Sequence, residues 1–248
     1  MSQVRLLIPK ARWSSPVALD SREVHRLTLV LRMQEGDVLE VFDGQGARAG
    51  ATLQRELGDW VLYLQDPSQI LIDSPEIVLA VAVLKGRKLD DVVRQTTEIG
   101  VTRIMPVLCS RSVARPDAAR SAKRLERWRI IAAEASRQSG RSALPQVDPV
   151  QSFDAWLDWL REEGQDLDGV ILHLEAGKTS GLDLWSSEEP RRLVLTGPEG
   201  GFSEEEVQAA CKAGLRVHGL GQTVLRAETA AVVAAAFAVL TGGRGSDK

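Results

Sequence analysis

Leu195-Thr196-Gly197-Pro198-Glu199-Gly200-Gly201-Phe202-Ser203 is the stretch on which the fold turns. The apolar run Leu193–Thr196 reads as a buried strand, and Ser203–Ala213 reads as the helix that follows it. Ser203 and Glu206 stand at capping-box spacing, which marks the helix start. Strand, glycine-rich loop and helix in that order make one βα step of a parallel sheet. Ligands of open parallel sheets bind at strand C-termini, and glycines let backbone amides approach them closely. Phosphate is a poor match, because Glu199, Glu204, Glu205 and Glu206 oppose it despite the helix dipole. A ligand with a neutral purine and a positive centre fits better. Taken alone, the loop is equally well read as a plain βα turn with a good cap.

The same alternation extends outward on both sides. Ile77–Leu84 is almost continuously apolar, as a parallel strand buried on both faces is. Leu89, Val92, Val93, Thr96 and Ile99 repeat at helical spacing, and Gly100 stops that helix. Val101–Leu108, Val170–Leu174 and Arg216–Leu220 are further strands; Asp117–Ser139, Phe153–Glu163 and Thr229–Thr241 are further helices. This is an α/β domain with a parallel sheet. The N-terminal part differs. Val4–Ile8, Val38–Phe42, Ala49–Leu53 and Trp60–Leu64 are short β-prone segments separated by turn signals, the pattern of a small barrel. The linker is expected within Asp66–Pro75, giving domains over residues 1–70 and 76–245.

A second loop, Leu220-Gly221-Gln222-Thr223-Val224-Leu225-Arg226-Ala227-Glu228-Thr229-Ala230, again joins a strand to a helix. That helix is apolar nearly all round and is therefore buried. Arg226 and Glu228 stand beside it, where charges are paired or functional. The two readings are a local Arg–Glu pair and a site shared with the glycine loop.

Composition sets bounds. The chain has 248 residues and a net charge of −3, so bulk charge gives no argument for nucleic acid, although local patches decide phosphate binding. Cys109 and Cys211 are too few for a disulfide framework, which favours a reducing compartment. His25, His173 and His218 are scattered, so no metal is expected. Met1–Arg12 lacks the apolar run of a secretory leader, and Ala230–Leu240 is too short to span a bilayer. A cytoplasmic protein is expected.

The two C-terminal loops together resemble those of the RsmE family in the SPOUT superfamily, bacterial small-subunit ribosomal RNA methyltransferases that modify N3 of a uridine. The motifs are G-P-E-G-G-F at Gly197–Phe202 and L-G-x-x-x-L-R-x-E-T-A at Leu220–Ala230. Three further blocks agree: Val30-Leu31-Arg32 with Gly36-Asp37; Lys85-Gly86-Arg87-Lys88-Leu89-Asp90 through Thr97-Glu98-Ile99-Gly100-Val101; and Glu134–Arg141 with Pro145. The resemblance is weakest over Ala47–Pro75 and Asp148–Pro190. Four places depart from the family pattern: Gln95 and Thr223, where a basic residue is usual, Ala227, where Thr is, and Leu6-Leu7, where an aromatic is.

The resemblance implies a SPOUT-type trefoil-knotted parallel sheet preceded by a PUA-like β-barrel that binds RNA. It implies S-adenosyl-L-methionine as cofactor, 16S ribosomal RNA as substrate, and a homodimer formed through the C-terminal domain. Leu172, His173, Thr196, Gly197, Pro198, Glu199, Gly200, Leu220, Gly221, Leu225, Arg226, Thr229 and Ala230 are the expected cofactor positions. Uridine N3 must lose its proton to become a nucleophile, and a fixed guanidinium can stabilise the resulting anion. Arg226 is the candidate for that role and Glu228 the candidate to orient it. Glu199 is placed to be a general base, although duty in the backbone turn accounts for it better, so no base is assigned.

RNA contact is expected where basic residues cluster. Arg111–Arg141 holds nine basic and three acidic residues, a net +6, and Met1–Arg32 holds six and two, a net +4. Arg5, Arg26, Arg32, Lys85, Arg87, Arg137, Gln138 and Arg141 are the candidates. Two other functions compete. A non-catalytic RNA-binding module leaves both C-terminal loops without a role, and a nucleotide enzyme using the glycine loop for phosphate lacks a Walker lysine.

Overall fold

The computed structural model describes residues 4–65, 68–69, 76–174, 185 and 191–242. The chain divides into two compact units. The first comprises Met1–Ile72 and Ser136–Leu144, the second Asp73–Ala135 and Pro145–Lys248.

The first unit is built on β1 (Arg5–Leu7), β2 (Val17–Ala18), α1 (Ser21–Val24), β3 (Val38–Phe42), β4 (Ala47–Glu56), β5 (Asp59–Leu64) and β6 (Ser68–Gln69). A π-helix over His25–Val30 follows α1 directly. The strands form one sheet in the order β1-β3-β4-β5-β2, with β6 also on β4. Only the β1/β3 ladder is parallel; the others are antiparallel. Alternate residues of β3 and β4 point inward, and Leu39, Val41, Ala51 and Leu53 join Leu6, Ile8, Leu27 and Leu62 in a single core. Two findings differ from the sequence reading. The expected linker Asp66–Pro75 contains β6, and the rest of that stretch lies outside the described residues. Ser136–Leu144, the end of a long helix and the turn after it, belongs to the first unit rather than the second.

The second unit holds β7 (Ile77–Ala82), α2 (Lys88–Ile99), β8 (Arg103–Leu108), α3 (Ala118–Ser139, up to Ala135), β9 (Gln146–Val147), β10 (Gln151–Ser152), α4 (Phe153–Glu162), β11 (Asp168–Leu172), β12 (Arg192–Thr196), α5 (Glu204–Lys212), β13 (Arg216–His218) and α6 (Ala227–Gly242). Its sheet runs β10-β8-β7-β12-β11-β13, with β9 also on β8, and every ladder is parallel. All six residues of β7 are buried, and their alternation assigns each to one face. Ile77, Leu79 and Val81 pack with Leu89, Val92 and Val93 of α2, Trp128 of α3 and Ala231, Ala234, Ala235 and Ala238 of α6. Val78, Ala80 and Ala82 pack on the other face with Phe153, Trp156 and Leu160 of α4 and Ala210 of α5. Each fully buried aliphatic side chain contributes roughly 1.5–3 kcal/mol, so two cores clamp β7 and β12 in place. Fixed strands give fixed strand ends, and those ends carry the site. No helix among the described residues is long and apolar enough to cross a membrane.

Candidate active site

β12, β11 and β13 are neighbours in the sheet. The segments leaving their C-terminal ends, Leu172–Leu174, Thr196–Phe202 and His218–Ala227, line one cavity of about 670 Å³. Lys88, Arg111 and Ala230 complete the wall. A cavity of this size matches the range of small-molecule sites, roughly 300–1,000 Å³.

The glycine loop owes its shape to identifiable contacts. A Cβ on Gly197 would lie 3.0 Å from the buried Phe202 ring, so any larger residue there would have to push that aromatic aside. Gly201 takes φ +70°, a left-handed conformation that suits glycine, and its N–H donates to the Pro198 carbonyl at 2.9 Å. Gly200 is different. Its φ is not left-handed, and a Cβ there would meet Arg111 at 3.3 Å. Arg111 also donates to the Gly200 carbonyl at 3.3 Å. The expected capping box is present: the Ser203 hydroxyl accepts from the Glu206 N–H, and Glu206 accepts from the Ser203 N–H. Glu206 accepts in addition from the Ser110 N–H at 2.7 Å and its hydroxyl at 3.1 Å, which ties the start of α5 to the loop after β8.

Charge at the cavity is organised by Lys88. Its ammonium lies 3.1 Å from Glu199 and 3.3 Å from Glu228, joining the first ligand loop to the first turn of α6. The Lys85 N–H also donates to Glu199, at 3.2 Å. Burial works to raise the Glu199 carboxyl, but its own backbone N–H, Lys88 and Lys85 outweigh burial and hold it below the ordinary range. The hydrogen bond to Glu199 raises Lys88; burial opposes this and Glu228 adds to it. Two expectations are thereby corrected. Glu228 pairs with Lys88 and does not orient Arg226, because the ammonium at the start of α2 reaches it first. Nor do Arg226 and Glu228 form a local pair. Among the described residues, the exposed Arg226 guanidinium makes no hydrogen bond or ion pair, and it lines the cavity.

The expected cofactor positions converge. Leu172, His173, Thr196, Gly197, Pro198, Glu199, Gly200, Leu220, Gly221, Leu225, Arg226 and Ala230 all line the cavity. Thr229 does not; it is exposed on α6. The Thr196 hydroxyl is buried on the cavity wall and has no hydrogen-bond partner among the described residues. The wall combines apolar residues such as Leu172, Leu220 and Leu225 with the charged Lys88, Arg111, Glu199 and Arg226. Sequence reasoning missed Lys88, Arg111 and His218 in the wall. Lys88 lay inside a quoted motif and could have been found; nothing local marks Arg111.

The RNA candidates are divided between the two units. Lys85 and Arg87 are exposed between β7 and α2. Arg32 and Gln138 are exposed, and Arg26 and Arg137 are half-buried, in the first unit. Arg5 is corrected. Only 9% of its side chain is exposed; it pairs with Glu40 at 2.6 Å, donates to the Ser136 and Arg141 carbonyls at 3.1 and 3.0 Å, and lies over the Phe42 ring. It is a clamp that holds Ser136–Leu144, not a phosphate contact. Arg141 is half-buried, and burial lowers its pKa. The basic stretch Arg111–Arg141 is also largely committed. Arg111 and Arg115 donate to carbonyls, Arg120 pairs with Asp117, Arg127 with Asp90, and Arg129 donates to the Val147 carbonyl.

Residues 73–239 match the family model of the RNA methyltransferase domain. The chain is 32% identical to the ribosomal RNA small subunit methyltransferase E of Synechocystis sp., across 94% of this chain and 76% of that protein. Among solved structures, a putative methyltransferase from Legionella pneumophila with bound cofactor SAM is 28% identical. It covers 97% of this chain and 98% of its own, with a TM-score of 0.85. The ribosomal RNA small subunit methyltransferase E from Neisseria gonorrhoeae, bound to S-adenosyl methionine, is 30% identical. It covers 95% of this chain and 96% of its own, with a TM-score of 0.82.

Proposed function

The chain belongs to the ribosomal RNA small subunit methyltransferase E family, and from that premise we propose that it transfers the methyl group of S-adenosylmethionine to N3 of a uridine in 16S ribosomal RNA. The observation that carries the reading is the cavity at the ends of β11, β12 and β13, lined by the glycine loop and by His218–Ala227. The cofactor supplies an electrophilic methyl on a sulfonium. The glycine loop and the Leu220–Leu225 loop would hold it and exclude water. Arg226, with no side-chain partner among the described residues, stabilises the negative charge that uracil gains when N3 loses its proton. Lys88 pairs with both Glu199 and Glu228 and so ties the glycine loop to the first turn of α6.

In this reading the first unit is a PUA-like barrel that binds RNA, and the C-terminal segment threads the parallel sheet as a trefoil knot, an exception to unknotted topology. The protein works in the cytoplasm as a homodimer through its second unit. The apolar α6 supports the dimer: one face is buried on the sheet, while Val232, Val233, Ala236 and Phe237 are half-buried and Leu240 is 72% exposed.

Two measurements test the proposal together. Calorimetric titration with S-adenosylmethionine should show binding. Mass spectrometry of 16S rRNA from cells with and without the gene should show one N3-methyluridine appearing with it. A methyl group mapped to another base or atom would refute the assigned specificity.

A further inference from the structure

The stretch Ser21–Met33 of the first unit has an unusual build. Four residues of α-helix, started by a capping box at Asp20 and Glu23, widen into the π-helix His25–Val30. Its closing bonds run from the Leu31 N–H to the Arg26 carbonyl and from the Met33 N–H to the Leu27 carbonyl, both 2.9 Å. Leu27 and Met33 are buried in the core and anchor the segment at both sides. Between the anchors, Leu29 is 67% exposed, Val30 63% and Leu31 39%. Arg32 then takes φ +55°, a left-handed conformation rare for a side chain of that size. π-Helical turns and non-glycine residues at positive φ cost free energy and concentrate at functional sites. Here the strained backbone seats Leu27 and Met33 in the core. It turns three consecutive apolar side chains and an arginine outward.

The stretch Asp20–Asp37 carries three arginines, Arg22, Arg26 and Arg32, and four acids, Asp20, Glu23, Glu35 and Asp37. Arg22 and Arg32 are exposed and Arg26 is half-buried within the π-helix. The nearby acids are engaged: Glu23 pairs with Arg12 at 2.7 Å, Asp20 caps α1, and Asp37 accepts from the Gln34 N–H. Arg26 also lies close enough to Arg137 to act on it. Burial, and then the positive charge of Arg26, lower Arg137 to about 10. Two partly buried guanidiniums close together, beside an exposed apolar ridge, match the alternation of phosphate and base along a nucleic-acid strand.

We propose that Leu29, Val30 and Leu31 pack against unstacked bases of the ribosomal RNA substrate while Arg22, Arg26 and Arg32 take the adjacent phosphates. This rests on the reading of the first unit as the RNA-binding part of the protein. Apolar wedges set among basic residues are a known way to hold bases out of a stack. Phosphate contacts weaken with salt through counterion release, whereas apolar contacts to bases do not.

The test uses the full-length protein and 16S rRNA, with binding measured across a salt series. Leu29→Ser with Val30→Ser should lower affinity roughly tenfold or more at every salt concentration and leave the salt dependence unchanged. Arg32→Ala should flatten the slope of log affinity against log salt by about 0.7–0.9, the share of one phosphate contact. Arg32→Gly relieves the backbone strain, so it should match the wild type in thermal stability and still lose affinity. A wild-type protein that binds with steep salt dependence, beside a double variant that binds equally well, would overturn the ridge but spare the RNA-binding unit. A wild-type protein that shows no binding would overturn both. If sedimentation shows that the double variant alters oligomeric state and not RNA affinity, the ridge belongs to a second copy of the chain and the proposal fails.

Discussion

The two units are built in opposite ways. In the second, β7 is buried on both faces, and helices α2, α3 and α6 on one side and α4 and α5 on the other leave the strand ends no freedom. Its cavity is built from the loops that leave β11, β12 and β13, and Gly197, Gly200, Gly201, Gly219 and Gly221 are in its wall. In the first unit a single core supports a mostly antiparallel sheet, and arginines such as Arg22 and Arg32 stand exposed on its surface. A backbone site needs particular small residues at particular turns. A side-chain surface needs only charge and reach, and many arrangements supply both. The difference teaches where substitutions act: at the cavity they should change chemistry or cofactor affinity, and in the first unit they should change either stability or RNA affinity, seldom both.

The largest expected effect sharpens the chemical side of this contrast. Arg226→Ala should slow methyl transfer by roughly 10²–10³-fold, the scale of losing one charge-stabilising donor. Affinity for S-adenosylmethionine should stay within a few-fold of the wild type, as measured calorimetrically. Near-normal turnover in single-turnover assays would remove Arg226 from the chemistry.

Next comes the division within the first unit. Arg5→Ala leaves Glu40 without its close partner and removes one donor each from the Ser136 and Arg141 carbonyls. Breaking a buried pair in this way costs about 3 kcal/mol, read as a lower denaturant midpoint with an unchanged slope. Arg32→Ala, at an exposed position, should leave the midpoint alone. Equal midpoints for the two variants would break the distinction between a clamp and a contact.

Backbone dependence at the cavity predicts a third result. Gly201→Val forces a β-branched residue into φ +70°. Cofactor affinity should fall by roughly tenfold or more while circular dichroism stays that of the folded protein. Unchanged affinity would show that the loop does not cradle the ligand through its backbone.

Much of this was legible from local pattern. The apolar run of β7, the helical spacing of α2 and the capping box at Ser203 each lie within one window of sequence, and each took the expected form. The glycine loop and the Leu220–Ala230 loop could be joined because each follows its own strand. What escaped was made by distance. Arg5 is claimed by carbonyls 131 and 136 residues away, and no local charge count reveals that. Lys88 meets Glu199 across 111 residues. The π-helix escaped for another reason: its spacing differs from an α-helix by less than one residue per turn, and Leu29-Val30-Leu31 reads as core until its exposure is known. Gly200 and Gly201 stand side by side in the motif, yet only Gly201 has the left-handed backbone.

The smallest expected effect concerns Lys88, the ion that joins the two ligand loops. It is 38% exposed, so solvent screens its pairs and each contributes little by itself. Lys88→Met should weaken cofactor binding by only about two- to fivefold, because Glu199 and Glu228 then repel each other while the strand ends hold the loops nearly in place. Lys88→Arg should restore most of the loss, and Lys88→Met combined with Glu228→Gln should recover part of it by removing the repulsion. The pH dependence follows from the direction of each shift. Glu199 is held below its ordinary range, so its share of loop order is complete above the ordinary carboxylate pKa and is lost as pH falls through the depressed value. Lys88 is raised, so its share is complete below the ordinary lysine pKa and is lost as pH rises through the raised value. Between those limits cofactor affinity should be flat, and Lys88→Met should abolish the alkaline fall while leaving the acid one. A wild-type profile that bends near neutrality would place the governing titration on another group, and would show that the loops are not fastened to each other through Lys88.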